Sequence, residues 1–252
     1  MQILFVHCHP EISSFNRALT NAGASKLKEQ GHIVEIADLY AEQFDPVEKA
    51  SHYEQRINLA VFEPLAEQRN AYKTNSLPAD VKREIDRLER ANLVVFQFPI
   101  WWHSVPAMLK GWMDRVFVSG GLYTSTMRYD KGHFKGRRAI CSVTSGAPKV
   151  SFTPGGRAGE VDQILWSFHY SLYYMGFDVL SPYLTHGVQG HGFSYADGDE
   201  FKKNRELSIL GWEERLGKIG NEKIQKEKSI KYPGWDDWDE QGRLRDPTQV
   251  SD

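Results

Sequence analysis

The chain has 252 residues, is 40% hydrophobic and 25% charged, and carries a formal net charge of −2. That balance fits one ordinary globular domain with appendages and leaves no basic field for nucleic acid. The longest apolar runs are too short to span a bilayer, and the start "MQILFVHCHPEISSF" reads as a first strand, not a signal peptide.

The first strand covers Ile3–His7, and a second, "HIVEIADL", covers 32–39. A helix begins near Phe15, carries Leu19, Ala22 and Leu27 on one stripe, and stops at Gly31. Residues 44–76 show little regular pattern and read as an inserted excursion. A helix over 77–91 has Pro78 and Asp80 near its start and Val81, Ile85 and Leu88 on one face. The run "NLVVFQFP", 92–99, is continuously apolar, as a strand buried on both faces must be. A helix over 105–117, a strand over 137–145, an apolar helix over 160–176 ending at Gly176 and a fifth strand over 177–185 follow.

Strand alternating with helix predicts an α/β fold, a doubly wound parallel sheet with helices on both faces. A main domain over 1–217 is expected, with a C-terminal extension over 218–252. The extension is charge-rich, yet Trp235 and Trp238 are unusual for a disordered tail. They suit anchoring on the body or on a partner subunit. Cys8 and Cys141 lie in or beside apolar strands without CxxC spacing and read as buried free thiols of a cytoplasmic protein.

Ligands of open α/β sheets bind beyond the carboxyl ends of the strands. Three loops fall there. The first, "HPEISSFN", offers His9, Ser13, Ser14 and Asn16 as donors beside a helix N-terminus, which attracts an anion. It has neither GxGxxG nor GxxxxGK, which argues against a dinucleotide site of the usual glycine-rich kind and against a triphosphate cradle. The competing reading is a serine N-cap with His9 as a polar loop residue. The second loop, "PIWWHS", puts two tryptophans at the end of a buried strand; neighbours on an extended chain point opposite ways, so both cannot easily be core. The third, "TSGAP", supplies small residues, hydroxyls and free amides. Together they suit a flavin: phosphate on neutral donors, ring face on the tryptophans, ring edge on the amides. No metal spacing, HExxH or GxSxG elbow is present. The Gly-rich "GVQGHGF" between His186 and the residues after His191 reads either as a pocket cap or as a plain turn.

The stretches "SSFNRAL", "GHIVEIADLY", "AYKTNSLPADV", "ANLVVFQFPIWWHSVPAMLKGWMDRVF", "YDKGHFKGRRAICSVTSG" and "ILWSFHYSLYYMGFDVL" resemble, in order, the NAD(P)H:quinone oxidoreductase (DT-diaphorase) family of flavodoxin-like flavoproteins. The resemblance spans roughly residues 2–190. It implies FAD, held in preference to FMN, in a cytoplasmic homodimer with the flavin at the subunit interface. It also implies two-electron ping-pong transfer of hydride from NADH or NADPH to a quinone or similar acceptor. His9, Ser14, Phe15, Asn16 and Ala18 then match the pyrophosphate and ribityl region. Pro99, Ile100, Trp101, Trp102 and His103 match the loop against the ring, Thr144, Ser145, Gly146 and Ala147 the loop at its polar edge, and Asp114 an acidic flavin contact. Tyr123 matches an aromatic closing the substrate pocket from the partner subunit, and Trp102, Ser125 and Gly146 join it there.

The chain also departs from the family. Phe152 takes the place of a tyrosine and Ala158 that of a histidine that stabilise charge on the reduced ring, with Arg157 one residue away. Ser125 replaces a second pocket tyrosine, and His103 replaces an aromatic. These departures keep a second reading open, a flavin-bearing regulatory subunit of a potassium efflux system docked on a membrane transporter. A one-electron carrier is disfavoured, because such proteins are strongly acidic and this chain is not.

Overall fold

The computed structural model describes residues 1–188, 198–221 and 229–246. Five parallel strands run in the order β2-β1-β3-β4-β5, with a short β6 also paired to β4. They are β1 (Gln2–His7), β2 (Ile33–Asp38), β3 (Leu93–Pro99), β4 (Arg138–Thr144), β5 (Asp178–Val179) and β6 (Tyr183–Thr185). Every residue of β3 is buried, which explains its unbroken apolar run.

The fifth strand expected over 177–185 is two pieces. Leu180, Ser181 and Pro182 separate them, and Pro182 has no N–H to give to a ladder. At the break the chain's own C-terminal segment docks: Leu180 bridges Ser229, and Ile230 N donates to Val179 O at 2.7 Å.

Helices cover both faces. On one lie α1 (Phe15–Glu29) and the last helix, α6 (Gly198–Gly220). Leu19 and Leu27 of α1 meet Trp212, Leu216 and Ile219 of α6 over Phe5 and Val95 of the sheet, and the Trp212 indole donates to Leu19 O at 3.1 Å. On the other lie α3 (Ala79–Arg90), α4 (Ala107–Val116) and α5 (Val161–Tyr174), with Leu88, Trp112 and Phe168 packed on Val94, Phe96 and Cys141. Ser14 caps α1 by accepting from Arg17 N, and Gly31, at φ +83°, ends it.

The excursion over 44–76 holds a helix, α2 (Pro64–Lys73). Its buried face is mostly polar, which is why no apolar period marks it. Glu67 accepts from Ile57 N at 3.1 Å, and Gln68 accepts from Ser119 N at 3.1 Å while donating to Asp114 O at 2.9 Å. Helix α6 was likewise not expected, and it runs to Gly220, past the 217/218 boundary.

The segment 229–246 anchors on the body. Trp235 N donates to Asp130 at 2.6 Å, Tyr173 OH to Pro233 O at 2.6 Å, and the Trp238 ring lies 4.7 Å from that of Tyr129. Both cysteines are buried and free, and burial pushes the Cys8 thiol up to about 12. Among the described residues no helix is long and apolar enough to cross a membrane.

Candidate functional site

The parallel sheet delivers the loops after β1, β3, β4 and β6 to one edge, and hydrogen bonds tie them together there. Asn16, buried in the first turn of α1, donates to Thr144 Oγ1 at 3.0 Å and accepts from Gln97 Nε2 at 2.9 Å. One side chain thus joins the loop after β1 to the ends of β3 and β4. Ser145 N donates to Thr185 O, and Ser145 Oγ lies 2.9 Å from His186 Nδ1, which adds the loop after β6.

The first loop leads into a helix N-terminus, where an anion is favoured. Ser13 and Ser14 sit just ahead of α1, whose first turn holds no acid. Glu11 now takes the Ser13 N–H and hydroxyl at 2.8 and 2.7 Å, so a carboxylate already uses those donors. Arg17, ion-paired with Asp38, adds a positive charge that sequence reading did not single out; its Nε is buried without a partner. Half-buried His9 has its pKa lowered, first by burial, and its ring centroid is 6.0 Å from that of Trp101.

The second loop has a specific shape. Trp101 N donates to Ser104 O and Ser104 N to Trp101 O, both at 3.1 Å, which closes a two-residue turn. Its central residues, Trp102 at φ +51° and His103 at φ +57°, are left-handed. That turn favours Asn and Gly; two large side chains there cost of order 1 kcal/mol or more each. The strain displays rings: Trp102 is 96% exposed and Trp101 39%. Pro99 is buried and Ile100 half-buried, with Ile100 N donating to Thr144 O at 2.8 Å.

In the third loop Thr144 and Ser145 are buried, Ala147 is half-buried and Gly146 is exposed. The nearest atom to a Cβ added at Gly146 is Val188 O at 3.8 Å, so this backbone faces open space. Among the described residues, neither the Gly146 nor the Ala147 N–H has a backbone acceptor. Phe152 is buried against His186, centroids 5.2 Å apart. Burial lowers the His186 pKa, with Lys149 adding to the effect.

Sequence reading also missed Arg205, because α6 was not expected. Its guanidinium lies 4.6 Å from the centre of the Phe15 ring. It lines a cavity of about 250 Å³ with Lys149, His186 and Val188, beside the third loop. Of the "GVQGHGF" segment only 187–188 is described; His191 and its neighbours lie outside the described residues.

Exposed Asp114, half-buried Tyr123 and exposed Ser125 belong elsewhere. Asp114 pairs with Lys110 at 2.6 Å on α4, and Tyr123 stands against Tyr174. The two adjoining depressions they line share no residue with the strand-end loops.

Hydroxyl and amide donors with Arg17 beside them, displayed indoles, and amides without a backbone acceptor fit a flavin: donors for a phosphate, a flat apolar face and donors for a polar ring edge lie on one edge. A profile described as flavodoxin-like fold matches residues 1–206. The NAD(P)H dehydrogenase [quinone] 1 of Cavia porcellus is 36% identical over 221 residues, covering 87% of this chain and 77% of the relative. The chain belongs to the NAD(P)H:quinone oxidoreductase family of flavodoxin-like proteins. A second relative, the ribosyldihydronicotinamide dehydrogenase [quinone] of Pongo abelii, is 36% identical over 223 residues, 88% of this chain and 93% of its own. A crystal structure from Klebsiella pneumoniae, of a protein provisionally assigned as a quinone reductase, superposes with a TM-score of 0.85 at 29% identity, over 97% of this chain and 94% of that one.

Proposed function

We propose that this chain is a cytoplasmic, homodimeric NAD(P)H:quinone oxidoreductase that binds FAD through residues 1–217 and moves two electrons per cycle to a quinone or similar acceptor. The observation that carries the reading is the Trp101–Ser104 turn, which spends backbone strain to display two indoles beside an anion-binding helix start. The names of the family relatives point the same way.

When bound, the flavin supplies the hydride chemistry. The protein's part is to bind and orient. Ser14, Asn16 and His9 would hold the phosphate and ribityl end, with Phe15 and Ala18 lining it. The 99–103 loop would lie on the ring, and the Gly146 and Ala147 amides would donate to its polar edge as negative charge builds there. The cavity beside Arg205 and Phe15 favours FAD over FMN, since it gives room and a cationic partner for a second nucleotide half.

Dimerisation is supported by a concentration of exposed apolar side chains on and before α2: Ile57, Leu59, Val61, Leu65 and Tyr72. It also explains why Asp114, Tyr123 and Ser125 stand apart from the strand-end loops; a partner would bring them to its neighbour's site.

Flavin-free protein is predicted to show no quinone turnover, with FAD restoring it better than FMN at one equivalent per chain. Turnover without flavin sinks the reading. Phe152 and Ala158, which offer no polar side-chain atom, favour a second reading, a regulatory flavoprotein of an efflux system; co-purification with a membrane transporter would support it.

A further inference from the structure

Two arginines line one cavity, and among the described residues neither makes an ion pair. The cavity, about 530 Å³, lies between α2 and the loop that follows α4, and it is lined by Arg69, Arg128, Tyr123 and the hydroxyls of Ser119, Thr124 and Ser125. Among the described residues no acid lines it, and Asp114, which lines the adjoining depression, is paired with Lys110.

Packing positions the Arg69 stem and the Arg128 guanidinium. The Arg69 stem packs on Gly120, where an added Cβ would fall 2.5 Å from Arg69 Cγ, so only glycine allows the approach. Arg128 sits 4.8 Å from the centre of the Trp235 ring and 5.7 Å from that of Tyr174, and donates to Tyr174 OH at 3.2 Å. Its Nε is buried with no hydrogen-bond partner. Among the described residues neither arginine makes an ion pair. A buried guanidinium nitrogen without an acceptor, as Arg128 Nε is, is costly unless an anion completes it, and exposed Arg69 adds a second positive charge at the mouth of the cavity.

We propose that Arg69 and Arg128 clamp an oxyanion, a carboxylate, sulfonate or phosphate, carried by the substrate that Tyr123 covers. This rests on the reductase reading and deepens it: the preferred substrate is an aromatic that bears an anionic substituent, or a dihydronicotinamide donor that bears a further phosphate, not a plain quinone. The cavity is large enough for a bicyclic ring with its substituent. The hydroxyls of Thr124 and Ser125 add neutral donors at its edge. Ser125 also leaves space where a second aromatic would close the cavity.

The test is calorimetric titration of the flavin-restored protein with naphthalene-2-sulfonate and with the neutral naphthalene-2-carboxamide. The sulfonate is expected to bind roughly tenfold tighter. Arg69→Gln and Arg128→Met are each expected to bring that ratio close to one. Arg69 is exposed, so its variant remains informative if Arg128→Met loosens the aromatic cluster. Equal affinities in the parent protein, or a preference that survives both substitutions, overturns the proposal. Calorimetry needs no turnover, so a protein that prefers the sulfonate but reduces no quinone would sink the reductase reading and leave the clamp standing. The source of the anion follows from two KM ratios, NADPH against NADH and sulfonated against plain naphthoquinone; the ratio that collapses in the variants names it. If neither moves, the clamp does not serve the substrate and the proposal fails.

Discussion

Asn16 Nδ2 donates to Thr144 Oγ1 at 3.0 Å across a sequence separation of 128 residues, and the same side chain accepts from Gln97 at 2.9 Å. All three side chains are buried. The contact fixes the helix start that would hold phosphate relative to the loop that would hold the ring edge. Asn16→Ala removes it and leaves the Gln97 amide without its acceptor. Stability is predicted to fall by about 1–3 kcal/mol, and flavin is predicted to be lost on gel filtration. Urea unfolding and the absorbance of the eluted protein check both; a stable variant that retains flavin would contradict the assignment.

Trp102 is held for display, not for packing. Replacing it by Gly relieves a left-handed φ, so flavin-free protein is predicted to gain about 1 kcal/mol in urea unfolding. The same substitution is predicted to weaken flavin binding by tenfold or more, read by fluorescence quenching. Stability lost and flavin affinity unchanged is the result that refutes it.

Phe152 stands over His186 without a hydroxyl. Phe152→Tyr is predicted to speed reduction of the bound flavin by NADPH about tenfold, the worth of one hydrogen bond to a charged group. Stopped-flow absorbance reads it directly.

Two buried histidines set the acid side of stability. Burial, then Arg17 and His9, push His7 down to about 3; burial pushes His169 down to about 4. Unfolded, each takes up a proton near 6.5. Between these values the unfolded chain binds more protons than the folded one, so stability falls as the pH drops below 6.5. The expected loss is about 1.4 kcal/mol per pH unit for each histidine. His7→Gln, which keeps a polar group near Thr20, is predicted to lower the slope of the urea midpoint between about pH 6.5 and 5, with His169, His9 and His186 supplying what remains.

The first four strands and four helices were legible because their buried residues are apolar and periodic, β3 above all. Helix α2 was not, since Glu67 and Gln68 are two of its three buried residues, with Ala71 the third. Helix α6 was not, since its buried stripe, Trp212, Leu216 and Ile219, occupies only its last part behind a charged first half. The site residues could be gathered from the strand ends, but the Trp101–Ser104 turn lacks the Asn or Gly that announces its geometry. Arg128 carried no signal at all: only the folded chain sets it beside Arg69.

The most direct test of the central claim is a visible spectrum of the flavin-restored protein, before and after anaerobic NADPH and then after a quinone. The account predicts a flavin band that bleaches with NADPH and returns with the quinone. A band that is present and does not respond to NADPH would contradict it.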